Sequence, residues 1–189
     1  LALIFAGGTG TRMNSKTKPK QFLELNGKPI IIHTIELFES HPEIDAIAVV
    51  CLESWIGYLN ELLERFRIKK VKYVVPGGET GQQSIRNGLT AFWDDQDIPR
   101  DSLVLIHDGV RPLINEDIIT RSIECAKQYG NAITVTPAIE TIITVSEDDS
   151  VDQIMDRSKC RMARAPQTFR LCDIVEAHNK AITDGALNM

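Results

Sequence analysis

A glycine-rich segment near the amino end is the first part of the chain whose residue types could do chemistry. The apolar run Leu1–Phe5 leads directly into Ala6-Gly7-Gly8-Thr9-Gly10-Thr11-Arg12, and lysines follow at positions 16, 18 and 20. Glycines let the backbone approach a ligand closely, and clustered cations attract polyanions. The segment predicts a triphosphate cradle in which Arg12 and Lys20 contact phosphoryl oxygens, with Lys20 on a mobile, exposed loop. A strand–helix turn with solvated lysines is the alternative interpretation.

Two common phosphate-binding motifs do not fit this segment. No Gly-Lys-Ser/Thr follows at the required spacing, which excludes a Walker A loop. The third glycine of a dinucleotide-binding fingerprint is replaced by Met13. That replacement argues against a dinucleotide-dependent oxidoreductase, which is an alternative class of function.

The segment His107-Asp108-Gly109-Val110-Arg111-Pro112 is a second candidate group, at the end of an apolar run. Asp108 should lie just past a strand, at the sheet edge where open α/β sheets bind ligands. Mg²⁺ binds through one or two carboxylates together with substrate phosphates, so Asp108 beside a phosphate loop is a candidate metal ligand. In the alternative interpretation, Asp108 caps a turn and Arg111 is its salt-bridge partner.

Two further signals are weak when each is taken alone. The segment Gly77-Gly78-Glu79-Thr80-Gly81-Gln82-Gln83-Ser84 separates a predicted strand from a predicted helix. Its exposed main-chain groups and the Ser84 hydroxyl could read a nucleobase, or they could simply form a loop and a helix start. Arg157 could bind a phosphate through its forked guanidinium or could be a surface charge.

Alternating strands and helices must position these residues. Apolar and β-branched runs alternate with longer amphipathic segments, which predicts a Rossmann-like α/β fold: a mostly parallel sheet with helices on both faces, in one domain over residues 1–189. Pro29 suits a first helical turn, and Asn115 suits an N-terminal cap. Strands are predicted near 2–6, 46–51, 71–75, 103–107 and 132–136, and helices near 29–40, 53–67, 82–93, 115–129 and 171–182.

Residues 138–164 interrupt this alternation. Two β-branched runs, 141–145 and 151–155, flank the acidic turn Glu147-Asp148-Asp149-Ser150, which predicts a protruding β-hairpin arm. The arm could lie on its own domain. It could also extend to a partner subunit, because a two-stranded ribbon is barely stable alone.

Composition narrows the class of protein. The chain has 189 residues, 43% of them hydrophobic, and a formal net charge of −5, which argues against general binding to nucleic acid or to a membrane surface. The four scattered cysteines form no metal-binding pair, and we expect reduced thiols, several of them in the core. We therefore expect a cytoplasmic protein.

The motifs become specific when they are read together. Ala-Gly-Gly-x-Gly-x-Arg-Met, Pro-Lys-Gln, Gly-Gly-x5-Ser, His-Asp-x-Val-Arg-Pro, Glu-Thr and Pro-Gln-x-Phe occur in an order and spacing that resemble the cytidylyltransferases acting on sugar-alcohol phosphates. The resemblance covers essentially the whole chain. It implies transfer of CMP from CTP to a polyol phosphate, giving a CDP-polyol and pyrophosphate, with Mg²⁺ as cofactor.

The same resemblance implies a role for each matching residue. Arg12 and Lys20 would stabilise charge at the α-phosphate and on the leaving pyrophosphate, and Asp108 would bind Mg²⁺. Thr141 and Arg157 would bind the polyol phosphate in the neighbouring subunit's site, which implies a homodimer through the arm. The nucleotide would be bound by Ala6, Gly7, Gly8, Gly10, Gly78, Glu79, Ser84, Gly109 and Arg111.

Several residues depart from the family pattern. Gly81 stands where many relatives have arginine, Glu140 where aspartate is usual, and Ala165 replaces the threonine of Thr-Pro-Gln. The glycine-rich start and Glu140-Thr141-Ile142-Ile143 resemble the ribitol 5-phosphate branch, whereas Asp156-Arg157-Ser158 resembles the methylerythritol 4-phosphate branch. We favour ribitol 5-phosphate as the acceptor. The family also continues beyond residue 184, so we expect the C-terminal end of the domain to be missing here.

Overall fold

The computed structural model describes residues 1–7 and 18–186, and within these ranges a six-stranded sheet forms the centre. Its four parallel strands all have apolar interiors, as expected for a sheet covered on both faces. The strands of the described ranges are β1 (Ala2–Ala6), β2 (Glu24–Leu25), β3 (Lys28–Pro29), β4 (Ile47–Cys51), β5 (Val71–Pro76), β6 (Leu103–Asp108), β7 (Asn131–Pro137), β8 (Ile143–Val145), β9 (Val151–Ile154) and β10 (Arg161–Arg170). The sheet order is β5-β4-β1-β6-β10-β7, with β5, β4, β1 and β6 parallel and β10 antiparallel to both of its neighbours.

In the described part of the chain, five α-helices connect the strands, close to the predicted positions. They are α1 (Ile30–Glu39), α2 (Ile56–Arg65), α3 (Gly81–Asp94), α4 (Glu116–Tyr129) and α5 (Leu171–Thr183). The predicted Asn115 cap is confirmed, because its side chain accepts a hydrogen bond from the Ile118 amide. The prediction for Pro29 is wrong by one residue: its ψ of 142° is extended, and it ends β3 immediately before α1.

The alternation of side chains along β1 builds a core on each face of the sheet. Ala2, Ile4 and Ala6 face α1, α2 and α4, whereas Leu3 faces α3 and the start of α5. Successive residues of a strand point to opposite faces, so one buried strand anchors both layers. The predicted mostly parallel sheet with helices on both faces is confirmed.

The central strand β10 was not expected from the sequence. It lies between β6 and β7, so residues 161–164, which the arm was predicted to include, belong to the main sheet. Charged residues and Pro166 hide the strand, because proline is normally excluded from central strands. The structure accommodates Pro166 in an irregularity between Ala163 and Gln167, where the pairing register with β7 shifts.

The predicted hairpin arm is confirmed as a separate two-stranded sheet. β8 and β9 pair antiparallel around the acidic turn, and every residue of both strands is exposed. None of the helices in the described ranges combines the length and apolar character of a membrane span.

The four cysteines are free thiols, but the expectation that several lie in the core is wrong. Only Cys51, in β4, is buried, and burial raises the pKa of its thiol to about 11. The other three lie on α4, on α5 and at the foot of the arm, where solvent reaches them.

Candidate active site

Loops from three strands meet at the carboxyl edge of the sheet. β1 ends at Ala6 and β6 at Asp108, and these neighbouring strands run parallel, so both ends reach the same edge. The loop after β5 crosses the end of β4, where the Gly77 amide donates to the Cys51 carbonyl at 2.8 Å, and reaches β1. Ligands bind at such an edge in open α/β sheets.

Small residues are required where the β1 and β5 loops touch. A Cβ on Gly7 would lie 3.0 Å from the Ser84 hydroxyl oxygen, and a Cβ on Gly77 would lie 3.2 Å from the Cα of Gly7. A Cβ on Gly78 would lie only 2.4 Å from the Cβ of Gln83. A larger residue at Gly7 or Gly77 would push the two loops apart, and a larger residue at Gly78 would displace the start of α3.

Hydrogen bonds fix the shape of the loop that leads into α3. The Ser84 hydroxyl donates to the Thr80 carbonyl at 3.0 Å and accepts from the Gly78 amide at 3.1 Å. Thr80 and Gln83 form a capping box, and the Gln83 side chain also accepts from the Glu79 amide at 2.8 Å. Ser84 therefore belongs to the helix start and also holds the loop, whereas its contact with a nucleobase stays a prediction.

The Asp108 carboxylate organises the turn after β6. One oxygen accepts from the Val110 amide and the other from Nε of Arg111, both at 3.1 Å. The turn cap and the salt bridge of the alternative interpretation are thus both present. Gly109 lets this turn approach β1, because its amide donates to the Phe5 carbonyl at 3.0 Å and a Cβ there would lie 2.9 Å from the Cβ of Ala6.

His107, the residue before Asp108, is completely buried. Its Nε2 lies 3.0 Å from the Arg111 carbonyl oxygen, and its ring lies 5.2 Å from the ring of Phe38. Burial lowers the pKa of His107 below its ordinary value, against the opposing effect of the hydrogen bond to Arg111. The imidazole is therefore neutral near pH 7, and Nε2 carries the proton because a carbonyl can only accept.

The segment that carries Lys20 is anchored from its far side. Lys20–Phe22 form a 3₁₀ turn. In this turn, the side-chain amide Nε2 of the buried Gln21 donates to the Ala6 carbonyl at 2.7 Å. Phe22 is completely buried and stacks on Trp55 with ring centroids 5.0 Å apart. These contacts hold the turn directly beside the end of β1.

Lys20 itself is half-buried and lies in this turn, so the expectation of an exposed loop is wrong, whereas its mobility stays a prediction. Within residues 1–7 and 18–186, its ammonium group makes no hydrogen bond or ion pair. Lys18 differs, because its Nζ donates to the Tyr58 hydroxyl at 3.1 Å and lies 4.9 Å from the centre of that ring. Of these two lysines, Lys20 is the one available to a ligand. Three other predicted residues, Gly8, Gly10 and Arg12, lie outside the described residues.

A cavity of about 290 Å³ opens between the β6 turn and β10. Asp108 and Arg111 were predicted site residues, whereas Gln82, Arg164 and Gln167 were not. Arg111 is paired with Asp108, but Arg164 makes no side-chain ion pair in the described part of the chain. The cavity is lined by Phe5, Gln82, Ile85, Ile106, Asp108, Arg111, Ala163, Arg164, Ala165 and Gln167. In the sequence, the neighbouring Ala-Pro-Gln motif is the one signal from which Arg164 could have been predicted as a residue of this cavity.

The arm residues lie away from this cavity. Thr141 and Arg157 are both exposed, and neither lines the cavity in the described ranges. Nη1 of Arg157 donates to the Ile139 carbonyl at 2.9 Å, which leaves its other guanidinium nitrogens facing solvent. Among the described residues, the cavity is therefore lined without either of these two arm residues.

The residues at the edge fit a magnesium ion that is shared with a substrate. Each Asp108 oxygen accepts one hydrogen bond and keeps a second lone pair, and the side chain is 23% exposed. No group of three or more His, Cys, Asp or Glu side chains in the described ranges could hold a metal by itself. Phosphate oxygens and water would have to complete the coordination shell, as is usual for Mg²⁺.

A parallel sheet with glycine loops at its carboxyl edge, a half-buried lysine and a carboxylate defines a nucleotide-binding α/β protein. Comparison with known proteins identifies the family. Residues 1–188 match the family model described as "IspD: 2-C-methyl-D-erythritol 4-phosphate cytidylyltransferase", and the chain belongs to this family.

Individual relatives carry two different names. A ribitol-5-phosphate cytidylyltransferase of Vibrio parahaemolyticus is 56% identical over 184 residues, which are 97% of this chain and 76% of the relative. One of Streptococcus agalactiae is 50% identical over 185 residues, covering 98% and 76%. Among solved structures, the 4-diphosphocytidyl-2C-methyl-D-erythritol synthase of Anaerococcus prevotii matches with a TM-score of 0.81 and 28% identity, covering 96% of this chain and 74% of that one.

Proposed function

We propose that this protein transfers CMP from CTP to ribitol 5-phosphate, giving CDP-ribitol and pyrophosphate, and that it uses Mg²⁺ as cofactor. The observation that carries the proposal is the meeting of the Gly77–Gly78 loop, the end of β1 and the Asp108 turn at one sheet edge. Membership of the cytidylyltransferase family and the names of the relatives at 50–56% identity support the same activity.

The nucleotide would span this edge from base to triphosphate. The Gly78, Glu79 and Ser84 loop is a rigid platform for the base, because capping and hydroxyl hydrogen bonds already fix its shape. Gly109 and Arg111 would lie beside the ribose, between that platform and Asp108. Ala6 and Gly7, at the end of β1, would approach the phosphates, with Gly8, Gly10 and Arg12 assigned by motif alone.

In the proposed reaction, a phosphate oxygen of the acceptor attacks the α-phosphorus of CTP in line. A new P–O bond forms, the bond between the α-phosphorus and the bridging oxygen to the β-phosphate breaks, and pyrophosphate leaves with the electron pair. Such transfers depend mainly on positioning and on charge stabilisation. Lys20 belongs to the turn beside the end of β1 and makes no hydrogen bond or ion pair among the described residues, and with Arg12 it would neutralise charge at the α-phosphate and on pyrophosphate. Asp108 would hold Mg²⁺, which neutralises the triphosphate when bound.

The binding site for the acceptor would be completed by the arm of a second subunit in a homodimer. Ile143, Val145, Val151 and Ile154 are 45–68% exposed, although they are large apolar residues. A ribbon of two strands with such exposure is unstable alone and typically covers another surface. Thr141 and Arg157 would then bind the polyol phosphate at the neighbouring subunit's sheet edge.

A second candidate acceptor is 2-C-methyl-D-erythritol 4-phosphate. The family model and the Anaerococcus prevotii structure carry that name, and Asp156-Arg157-Ser158 resembles that branch. In this segment the Asp156 side chain accepts from the Ser158 amide at 3.1 Å and from its hydroxyl at 2.7 Å, which shapes the turn that carries Arg157. This turn would suit either phosphate, so acceptor choice must be measured.

A panel of polyol phosphates tests the proposal. The purified protein is incubated with CTP, Mg²⁺ and ribitol 5-phosphate, methylerythritol 4-phosphate or no acceptor, and both pyrophosphate and the CDP-linked product are measured. We expect product with ribitol 5-phosphate at the highest kcat/KM. Preference for methylerythritol 4-phosphate would reassign the acceptor, and no product with either compound at high enzyme concentration would contradict the proposed activity.

A further inference from the structure

His107 is the buried polar side chain at the site whose role the reaction does not yet explain. Its ring is inaccessible to solvent, Nε2 donates to the Arg111 carbonyl, and Nδ1 is buried with no hydrogen-bond partner in the part of the chain that the structure describes. A buried nitrogen without a partner costs free energy. An apolar ring at this position would avoid that cost, so packing alone does not account for a histidine here.

The hydrogen bond from His107 closes the turn that presents Asp108 and Arg111. It spans residues 107–111, and inside it the Arg111 amide donates to the Asp108 carbonyl at 3.1 Å. The side-chain pair between Arg111 and Asp108 lies on the outer side, with Arg111 55% exposed. Exposed ion pairs contribute little and hold their geometry weakly. The constraint on Arg111 must therefore come largely from the buried side, where His107 fixes its carbonyl.

We propose that His107 is a positioning residue that holds the main chain of Arg111, so that the Arg111 guanidinium and the Asp108 carboxylate keep the arrangement needed in the cavity. The inference rests on the proposed function for its kinetic consequence. It does not rest on that function for its structural consequence, because the arrangement of Arg111 can be observed without substrates.

Two substitutions separate the hydrogen bond from the packing of the ring. His107→Phe keeps a ring of similar size against Phe38 but removes the donor, whereas His107→Gln places an amide nitrogen near the position of Nε2. We expect kcat to fall about 10²-fold in H107F, because small misplacements of groups at a reacting centre have effects of that size. H107Q should stay within about threefold of the unaltered protein, because the bond is retained. The Mg²⁺ concentration for half-maximal activity should rise in H107F through the displaced Asp108.

Three readouts keep the inference testable. Thermal unfolding reports whether each variant folds, pyrophosphate release reports turnover, and the NMR signal of the Arg111 Nε–H group, recorded without substrates, reports its pairing with Asp108. We expect H107F to fold and to shift that signal, and H107Q to keep it. An H107F protein that folds with an unchanged Arg111 signal and full turnover would overturn the inference. If H107F does not fold, H107Q decides: retention of the signal supports the role, and a displaced signal in the folded variant overturns it.

Failure of the proposed function would look different. In that case the unaltered protein releases no pyrophosphate with any acceptor, while the Arg111 signal still reports whether His107 positions the turn.

Discussion

The sheet edge and the arm are built on opposite physical principles. At the sheet edge, Gly78 and Gly109 have no room for a Cβ, and Asp108 has a hydrogen-bond partner for each carboxylate oxygen. In the arm, every residue of β8 and β9 is exposed, and the Arg157 guanidinium donates to a backbone carbonyl of its own arm. The described part of the edge is held in place by contacts within one chain, whereas the arm has large apolar side chains that this chain leaves exposed.

This difference suggests a division of labour. The edge is preorganised, as a site for the reacting nucleotide should be, because interactions fixed in advance need no reorganisation during reaction. In the proposed dimer, the arm would supply residues for the acceptor to the site of the second subunit. Substitutions at the edge should therefore affect CTP and chemistry, and substitutions in the arm should affect the acceptor.

The largest effect is expected for Lys20→Ala. Loss of the cation that the proposed reaction places at the phosphates should lower kcat about 10³-fold, the size seen when one charge-stabilising donor is removed. The free energy of unfolding should change by less than about 0.5 kcal/mol, because the ammonium has no partner in the described ranges. Pyrophosphate release and thermal unfolding measure the two quantities.

Lys18→Ala is the matched control for Lys20. Lys18 is bound to Tyr58, so its removal should leave kcat within a few-fold and instead slightly lower stability. Equal loss of kcat in both variants would mean that general positive charge, rather than Lys20, supports the reaction.

The second-largest effect is expected for Gly78→Ala. The new Cβ would meet Gln83 at 2.4 Å and must displace the start of α3, so we expect the KM for CTP to rise by about one to two orders of magnitude. Gly81→Ala is the control three residues away, where a Cβ meets nothing within 4 Å. The control should keep its KM and gain slight stability, because alanine is the better helix former. Indistinguishable KM values would contradict a preformed nucleotide loop.

Much of the fold could be predicted because β1 and β4 are continuous apolar runs, β5 and β6 are largely apolar, and amphipathic helices separate them. β10 could not, because its residues are charged and its pairing is interrupted at Pro166. The hairpin of β2 and β3 had a readable signal that was missed: Asn26-Gly27, both with positive φ, is a favoured two-residue turn.

Only part of the candidate site could be predicted from the sequence. Asp108 and Gly78 follow strand ends and stand in recognisable motifs, but Arg164 reaches the cavity only because the unexpected β10 lies beside β6. The anchoring of Lys20 also depends on distant contacts, since Gln21 binds the end of β1 and Phe22 stacks on Trp55. Such contacts are set by tertiary structure and leave no local pattern.

A smaller effect, confined to the acceptor, is expected for the arm. Arg157→Ala should raise the KM for the polyol phosphate by roughly tenfold, the loss expected for a hydrogen bond to a charged group, and should leave the KM for CTP unchanged. Thr141→Ala should act in the same direction but less strongly, because a neutral hydroxyl is the weaker donor. Steady-state kinetics with each substrate varied in turn distinguish the two constants. A raised KM for CTP in either variant would remove the distinction between edge and arm.

The smallest effect concerns the free energy of unfolding of the α/β domain at mildly acidic pH. Burial, together with Arg86, lowers the pKa of His178, and burial also lowers that of His107. Both histidines bind protons more readily in the unfolded chain than in the folded one. Their contribution to the free energy of unfolding is therefore fully present above about pH 6.5. It declines below that pH, by at most about 1.4 kcal/mol per pH unit for each histidine. Thermal unfolding at pH 7.5 and 5.5 should show the decline.

His178→Gln isolates one of these contributions. The variant should lose less stability than the unaltered protein over the same pH interval. The arm, residues 138–160, contains no histidine and should not contribute. An identical pH dependence in the variant would show that His178 is not responsible.

Mixing two variants that are impaired at different places tests the division between edge and arm most directly. Lys20→Ala and Arg157→Ala subunits are combined under conditions that exchange subunits, and turnover is measured well below the acceptor KM of the unaltered protein, where Arg157→Ala alone should keep about a tenth of the unaltered activity and Lys20→Ala far less. If the arm serves the neighbouring site, each hybrid dimer contains one intact site, and the mixture should regain about a quarter of the unaltered activity. A mixture of Lys20→Ala and Gly78→Ala, both at the edge, should regain none. Formation of hybrids without recovery in the first mixture would contradict a site shared between two subunits.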